Sequence, residues 1–374
     1  FLFITIACGA VSGFHALISS GTTPKMLANE GQACFIGYGG MLMESFVAIM
    51  ALVAACIIDP GVYFAMNSPM AVLAPAGTTD VVASAAQVVS GWGFSITPDT
   101  LHQIASEVGE QSIISRAGGA PTLAVGMAYI LHGSLGGLMD VSFWYHFAIL
   151  FEALFILTAV DAGTRAARFM LQDLLGVISP GLKKTSSLPA NLLATALCVL
   201  AWGYFLHQGV VDPLGGINTL WPLFGIANQM LAGMALMLCA VVLFKMKRQR
   251  YAWVALLPTS WLLICTLTAG WQKSFSPDTK VGFLAIANKF QAMIDSGNIP
   301  PQYTESQLAQ LVFNNRLDAG LTIFFMIVVV VLALFSIKTA LAALKEDKPT
   351  AKETPYQAMP ADAQTITAQA KRAH

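Results

Sequence analysis

The stretch "FIGYGGMLMESFVAIMALVAA", Phe35 to Ala55, decides the class of fold, because Glu44 is the only charged residue in it. A helix that crosses a bilayer needs about 20 mostly apolar residues. Of the 374 residues in the chain, 56% are hydrophobic and 11% are charged, whereas soluble domains carry about 25% charged residues. Such a chain could not cover itself with polar surface in water. We therefore predict an all-α fold, a polytopic transmembrane helix bundle.

Seven segments have the length and composition of a membrane span. An eighth segment, 121–138, reads "PTLAVGMAYILHGSLGGL", and its apolar core of about a dozen residues is too short for an ordinary span. We interpret it as a re-entrant segment; alternatively, it crosses the bilayer and a weaker span lies within 71–96. The seven predicted spans are 1–18, 35–58, 141–160, 190–211, 220–244, 252–271 and 320–342.

Basic residues between the spans predict the orientation, because loops rich in Lys and Arg stay in the cytoplasm. The run "KMKRQR" at 245–250 holds four basic residues and the loop 212–219 holds none. Lys273 and three further basic residues within 272–319 count against the scheme. The predicted regions are 1–58, membrane segments with a candidate broken helix; 59–120, an external loop; 121–251, membrane segments with a cytoplasmic loop at 161–189; 252–342, membrane segments with an external loop at 272–319; and 343–374, a disordered cytoplasmic tail.

Two features outside the spans complete this organisation. Within the external loop, "TPDTLHQIASEVGE" predicts a surface helix capped at Thr97 or Asp99. The chain begins at Phe1 inside an apolar run, with no basic segment before it, which argues against a signal peptide. We expect that the natural protein has an N-terminal portion that precedes this sequence.

A polar stretch, "SSGTTP" at 19–24, directly follows the first predicted span. Gly21 and Pro24 would disrupt or end a helix, and irregular backbone at membrane depth survives only beside protein or water. One interpretation is a cytoplasmic turn. The other is the break of a discontinuous helix, whose free amides bind a carboxylate. The second makes the stretch a candidate substrate site, formed by Ser19, Ser20, Gly21, Thr22 and Thr23.

Two carboxylates inside the spans are candidates for proton coupling, because intramembrane charges are expensive and usually functional. Glu44 shares a helical face with Gly37 and Gly40, which would admit a neighbouring backbone and turn Glu44 towards the bundle interior. Glu152 lies near the middle of its span, on the face of Tyr145. A structural hydrogen bond to a neighbouring helix is the alternative for each.

Two further groups of polar residues are weaker candidates. Asn228 and Gln229 lie beside Gly225 and Gly233 and are candidate substrate ligands, or else they support tight helix packing. In "DAGTRAARFMLQDLLG", the i, i+4 spacing can pair Asp161 with Arg165 and Arg168 with Gln172. These form a candidate inner gate, or else a cytoplasmic interfacial helix. The candidate gate residues are Asp161, Arg165 and Arg168.

Several classes of protein are disfavoured. The net charge of zero gives no basic field for nucleic acid. The chain contains no Walker loop, no H-E-x-x-H pair and no cysteines at metal-ligand spacing, so we predict no enzyme, no cofactor and no metal site.

Long strings of this sequence resemble the carbon starvation protein CstA family of bacterial inner-membrane proteins, over almost the whole chain. Members are roughly twice as long. The resemblance implies a transporter with broken helices and inverted repeats, like the amino-acid transporters, which needs the other half of its own chain. The strings are "SGFHALISSGTTPKMLANE", "FIGYGGMLMESFVAIMALVAA", "RAGGAPTLAVGMA", "FWYHFAILFEALFILTAVDAGTRAARFMLQDLLG", "GVVDPLGGINTLWPLFGIANQMLA" and "KETPY".

The function expected from this resemblance is secondary active import of small carboxylate nutrients during carbon starvation, driven by protons. The family is associated with uptake of di- and tripeptides, and close relatives import pyruvate. The partners would be such a solute, protons and the lipid bilayer, with the C-terminus in the cytoplasm. The alternative is a membrane nutrient sensor without net transport, although the tail of the chain is short for an effector domain.

Overall fold

The computed structural model describes residues 3–4, 9–74, 78–116, 118–211, 216–300 and 303–351, with Ala71 and 216–220 described by their backbone alone. These residues form fourteen α-helices and no strand, which confirms the all-α class. The helices are α1 (Phe14–Gly21), α2 (Thr23–Met26), α3 (Gln32–Ile57), α4 (Pro60–Asn67), α5 (Met70–Leu73), α6 (Val81–Gly91), α7 (Pro98–Val108), α8 (Gly119–Ser134), α9 (Val141–Ile178), α10 (Leu188–Val211), α11 (Gly216–Lys245), α12 (Trp253–Phe275), α13 (Phe283–Asp295) and α14 (Glu305–Lys345).

Six of these helices are long and apolar enough to cross a membrane: α3, α9, α10, α11, α12 and α14. They contain the six predicted spans from 35–58 onward almost entirely, so the chain is a multi-pass membrane protein. The first predicted span, 1–18, falls partly outside the described residues. The tail beyond residue 351 also lies outside them, and its predicted disorder stays a prediction.

Two of the helices are much longer than a bilayer requires. α9 has 38 residues and α14 has 41, which at 1.5 Å per residue gives about 57 Å and 61 Å against a hydrocarbon core of about 30 Å. α9 continues from its apolar part through the charged residues after 160, and α14 begins with polar residues before 320. Parts of the predicted loops 161–189 and 272–319 are therefore extensions of spanning helices.

The chain divides into two compact units. The first unit, called the α11 unit below, contains 1–33, 210–296 and 308–374. The second, called the α9 unit, contains 34–209 and 297–307.

The α9 unit is built on short helices that surround the start of α9. Its core joins α4, α6, α7 and α8 through buried side chains that include Val62, Met66 and Leu101. The predicted surface helix is α7, and its cap is Thr97, whose Oγ1 accepts a hydrogen bond from the amide of Thr100 at 3.2 Å. This confirms the helix and the first of its two predicted caps.

One close crossing joins the apolar helix α3 to this core. A side chain at Gly126 in α8 would collide with the backbone of Ala54 in α3. Ala54 is also the only buried residue of α3, so most of that helix is exposed within the described chain. Glycine at position 126 therefore lets the two backbones approach where α3 is attached.

The segment 121–138 contains a single short helix and a glycine turn. α8 has 16 residues, about 24 Å of helix, and packs along α9. The turn between them uses Gly136 and Gly137 at φ +63° and +73°, a backbone conformation that favours glycine. The segment is a helical hairpin partner of α9, and its re-entrant path in the bilayer stays a prediction.

The α11 unit packs α11, α12 and α14 around a second core. Its buried residues include Ile226, Met230 and Met326. A side chain at Gly270 of α12 would press on Met326 and Thr322 of α14, while the opposite ends of the same helices meet around Ser260 and Ser336. α12 and α14 therefore run antiparallel.

Candidate functional site

A non-helical segment of the α11 unit lies against the candidate residue Asn228. Residues 9–13 are not helical, and α1 begins at Phe14. The carboxamide oxygen of Asn228 in α11 accepts hydrogen bonds from the amides of Gly13 and Phe14, each at 3.0 Å. The first amides of a helix need an outside acceptor, which a Ser, Thr, Asp or Asn at its own N-cap usually supplies. Here the N-cap residue is glycine, and Asn228 supplies the oxygen from another helix.

Gly13 is required where α1 crosses α11. A Cβ atom at this position would collide with the side chain of Leu231 and the backbone of Asn228 and Ala232. The amide of Gly13 also donates to the backbone carbonyl of Asn228 at 3.0 Å. The start of α1 is therefore fixed against α11 by contact as well as by hydrogen bonds.

Gln229 binds a residue that precedes this segment in the sequence. Its side chain is completely buried, and its Nε2 donates to the carbonyl of Ile4 at 2.9 Å. Its Oε1 has no hydrogen-bond partner among the described residues. A buried acceptor without a donor lowers stability by about 1 to 3 kcal/mol. A ligand group that donates to this oxygen would therefore recover a free energy of that size on binding.

The predicted break at Ser19 to Pro24 is a junction between two short helices. α1 ends at Gly21 and α2 begins at Thr23, with Pro24 in its first turn. Ser20 donates its hydroxyl hydrogen to Ala16 O at 2.8 Å, and Thr22 donates to Ile18 O at 3.1 Å. Ser19 and Thr23 bond to the same two carbonyls, at 3.1 and 3.2 Å. All four hydroxyls therefore satisfy carbonyls at the end of α1 and keep lone pairs that can accept hydrogen bonds.

The candidate proton carriers lie in the α9 unit. Glu152 is half-buried on α9, and Glu44 is exposed on α3. No described atom outside α3 lies within 4 Å of a Cβ built at Gly37 or Gly40. No described neighbour uses the space at these glycines, and the expectation that they admit a neighbouring backbone and turn Glu44 inward stays a prediction.

The candidate gate residues follow Glu152 along α9. The predicted pair forms, because Arg165 Nη2 lies 2.9 Å from Asp161 Oδ2 and 3.2 Å from its Oδ1. The second predicted pairing is wrong. Gln172 is buried and donates instead to Asn191 of α10 at 2.7 Å, while the Arg168 guanidinium lies over the Phe169 ring. Helical spacing can indicate an i, i+4 pair, but it cannot reveal a stronger partner on another helix.

Sequence reasoning missed a buried polar cluster in the α11 unit. Lys273 and Asp318 are 8% and 3% exposed, and Ser274 is completely buried. Since α12 and α14 run antiparallel and meet at Gly270 and Thr322, the turns after Gly270 and before Thr322 lie at one level. Both charged side chains are therefore buried at this level, and the Lys273 ammonium lies over the Phe283 ring, 5.4 Å from its centre. The signal was a lysine near the end of one apolar helix and "NNRLD" at 314–318, just before the apolar part of another.

A separate polar contact in the α9 unit lies outside the six spanning helices. Tyr129 donates its hydroxyl to Glu107 Oε2 at 2.6 Å, and Gln103 Nε2 donates to Glu107 Oε1 at 2.8 Å. These bonds favour the ionised carboxylate, so they hold the pKa of Glu107 below its usual value. Among the described residues, no group of His, Cys, Asp and Glu has the arrangement of a metal site.

Comparison with known proteins identifies relatives of the whole chain. Residues 1–269 match the family described as Carbon starvation protein CstA. The chain is 93% identical over 374 residues to "Peptide transporter CstA" of Escherichia coli (strain K12), across 100% of this chain and 53% of that protein. It is 57% identical over 378 residues to "Pyruvate/proton symporter BtsT" of the same organism, across 96% and 53%.

A more distant relative extends the comparison. "Peptide transporter CstA" of Bacillus subtilis (strain 168) is 40% identical over 272 residues, which cover 72% of this chain and 41% of that protein. The chain spans about half the length of the curated relatives it matches. No solved structure matches it.

Proposed function

The chain belongs to the carbon starvation protein CstA family, and on that premise we propose that it is part of a secondary active transporter. The protein imports small carboxylate nutrients across the bacterial inner membrane, as a symporter with protons. Its substrates are di- and tripeptides, with pyruvate as the alternative. The observation that carries this proposal is that relatives named as a peptide transporter and as a pyruvate/proton symporter both align with almost the whole chain.

The substrate carboxylate is proposed to bind at the start of α1. Asn228 Oδ1 occupies the position in which a carboxylate oxygen would accept from the amides of Gly13 and Phe14. A helix N-terminus favours an anion because its amides point outward and its dipole is positive there. An arriving carboxylate can therefore take the place of the Asn228 oxygen. Asn228 and Gln229 would then turn their amide groups to the substrate.

The far end of α1 suits the other end of a peptide. The hydroxyl hydrogens of the serines and threonines at 19–23 already bond to Ala16 and Ile18, so their oxygens accept hydrogen bonds. The α-ammonium group of a peptide donates such bonds, and pyruvate has none to offer. Ser19 lies about 8 Å along the helix from Phe14, and a di- or tripeptide extends over about 7 to 11 Å. This geometry favours peptides.

The remaining candidates would serve proton coupling and gating. Glu44 and Glu152 are proposed to carry the proton, since charged side chains within a span are costly and usually functional. The pair of Asp161 and Arg165, with Arg168, would control access from the cytoplasm. The loops 161–189 and 245–251 and the C-terminus are proposed to face the cytoplasm, by the distribution of basic residues.

Counterflow in liposomes tests this function on the full-length protein. Vesicles loaded with unlabelled dipeptide should accumulate labelled dipeptide, and an inwardly directed proton gradient should drive uptake without preloading. Accumulation of labelled pyruvate alone would leave transport intact and overturn the peptide assignment. If neither solute accumulates under either condition, the proposal of transport fails, and the alternative of a nutrient sensor gains support.

A further inference from the structure

An apolar cavity opens at one end of the α11 unit. It measures about 300 Å³ and lies between α11, α12 and α14. Its wall is almost entirely apolar, with Met237 and Phe244 from α11, Leu256 from α12 and Leu341 from α14. The hydroxyls of Thr259 and Ser260 face its α12 side but donate to carbonyls of their own helix at 2.7 and 2.8 Å. The cavity therefore suits a hydrocarbon chain better than a polar solute.

Positive charge is concentrated at the same end of these helices. The run at 245–250 directly follows the cavity residue Phe244 and contains four basic residues and no acidic one. The chain after α14 returns to this point, because the amide of Thr350 donates to Lys245 O at 3.0 Å. That returning segment, "KEDK" at 345–348, is neutral overall, so it adds no net negative charge at this end. The basic residues, called the basic cap below, are Lys245, Lys247, Arg248 and Arg250.

One member of the basic cap is held at the rim of the cavity. Lys247 Nζ donates to Ala343 O at 2.7 Å, and the neighbours of Ala343 in α14 include the cavity residues Leu341 and Leu344. The backbone of Lys247 is left-handed, at φ +58°, because this residue caps the C-terminal end of α11: its amide donates to Phe244 O at 3.1 Å and the amide of Arg248 donates to Leu243 O at 2.9 Å. The end of α11 therefore places an ammonium group at the end of α14 and at the cavity.

Aromatic residues mark the depth of this end in the membrane. Tyr251 and Trp253 follow the basic cap and are 50% and 65% exposed. Tyr and Trp are enriched where the hydrocarbon core meets the headgroups. The basic cap therefore lies at headgroup level, and the cavity extends from it into the hydrocarbon.

We propose that this cavity and the basic cap bind an anionic phospholipid, with one acyl chain between α11, α12 and α14 and the phosphate at the basic cap. Basic pockets between transmembrane helices are suited to acidic headgroups. The cavity and the basic cap select different parts of the lipid, because the lipid lies in a bilayer and not in water. Acyl chains are already in hydrocarbon, so the cavity selects by shape alone, and the positive charge decides which headgroup stays. This inference rests on the membrane location and is independent of which solute is transported.

Native mass spectrometry of the full-length protein, released from detergent with equal phosphatidylglycerol and phosphatidylcholine of identical chains, tests the proposal. We expect preferential retention of phosphatidylglycerol. The double substitution Arg248→Gln with Arg250→Gln should weaken it by about fivefold for each charge removed. Ala340→Phe, which fills the cavity and leaves all charges in place, should reduce retention of phosphatidylglycerol as well.

The matched control is Lys183→Gln with Lys184→Gln, which removes two basic residues from the α9 unit, where they do not adjoin this cavity. It should leave retention unchanged. An equal loss in the control would overturn the proposal in favour of general surface charge. Displacement of the lipid by inorganic phosphate at similar concentration would show a free-anion site and would also overturn it. Should Ala340→Phe fail to fold, the two charge substitutions still decide between these outcomes.

Discussion

Asn228 shows how much one side chain can determine. Its oxygen serves the amides of Gly13 and Phe14, and Ser12 Oγ lies 3.3 Å away. These partners are more than 210 positions away in sequence. The sequence identified Asn228 as polar within an apolar helix, which was enough to make it a candidate. The partners could not be predicted, because helical periodicity shows which face a residue occupies and says nothing about which segment that face meets.

Removing this oxygen should be costly. Asn228→Ala leaves two amides without their side-chain acceptor, so we expect a loss of about 1 to 3 kcal/mol of stability, measured as a lower melting temperature in detergent, and a large loss of uptake. Asn228→Asp is the control, since it keeps an oxygen in place and adds a negative charge that a helix N-terminus favours. Its melting temperature should be close to that of the parent. Equal destabilisation by both changes would contradict the capping role.

The buried charges of Lys273 and Asp318 should depend on each other. Both residues are buried at one level of neighbouring helices, and if their charges compensate each other, removing one should cost about 3 to 5 kcal/mol. Lys273→Met and Asp318→Asn should therefore each lower the melting temperature strongly. The double substitution should be more stable than the sum of the two losses predicts. Strictly additive losses would show that the two charges are not coupled.

Glu107 gives the α9 unit a defined dependence on pH. Because folding lowers the pKa of Glu107, its carboxylate contributes stability above the unfolded pKa of about 4.3, and the contribution is lost as pH falls through the lower, folded pKa. Tyr129→Phe removes the strongest cause of the shift. Thermal melts between pH 3 and about pH 7 should show a smaller acid-induced decrease for this variant than for the parent. An unchanged or steeper decrease would contradict the assignment.

Among the properties of the helices, their lengths were predicted least well from the sequence. The predicted span 141–160 stops where charges begin, yet α9 continues to Ile178. Hydropathy reports which part of a helix tolerates hydrocarbon, whereas the backbone stays helical for as long as its residues permit. The predicted ends of the spans therefore mark where a helix leaves the hydrocarbon, which is not where the helix itself ends. The helix α7 could be placed well because Thr97 and Gly109 mark its two ends in the local sequence.

The attachment of α3 depends on its crossing with α8. Gly126→Val should force the backbones apart at Ala54 and release α3 from the core of the α9 unit. Gly133→Val is the matched control in the same helix, because nothing lies within 4 Å of a Cβ there and the loss of helix propensity is comparable. Limited proteolysis between α3 and α4 should increase only for Gly126→Val. Equal cleavage of both variants would mean that propensity, and not the crossing, is responsible.

For the whole molecule, the proposed proton coupling predicts different effects on uphill uptake and on exchange. Glu44→Gln and Glu152→Gln each remove one proposed proton carrier and keep the size of the side chain. If either carries the proton, its neutral variant should lose uphill uptake driven by a pH gradient and keep exchange of labelled for unlabelled solute. Gln208→Glu can serve as a control for charge elsewhere in a span. Normal uphill uptake by both glutamine variants would remove these residues from the proton path.

The six spans from 35–58 onward and the all-α class follow from composition and period alone, since a bilayer leaves a chain few alternatives. The arrangement within the candidate site does not, because it depends on contacts such as those of Asn228 with Gly13 and of Gln229 with Ile4. Those contacts are long-range and specific to the fold. The buried Lys273 also escaped prediction, since a basic residue next to a loop has the same local signature whether it meets water or protein.

Asn228 and Gln229 are neighbours, and their side chains leave α11 about 100° apart. Gln229 donates a hydrogen bond to the carbonyl of Ile4, and Asn228 accepts one from the amide of Phe14. A rotation of α11 about its own long axis would therefore move both hydrogen bonds together. The positions of Ile4 and of the start of α1 are tied to the orientation of that single helix.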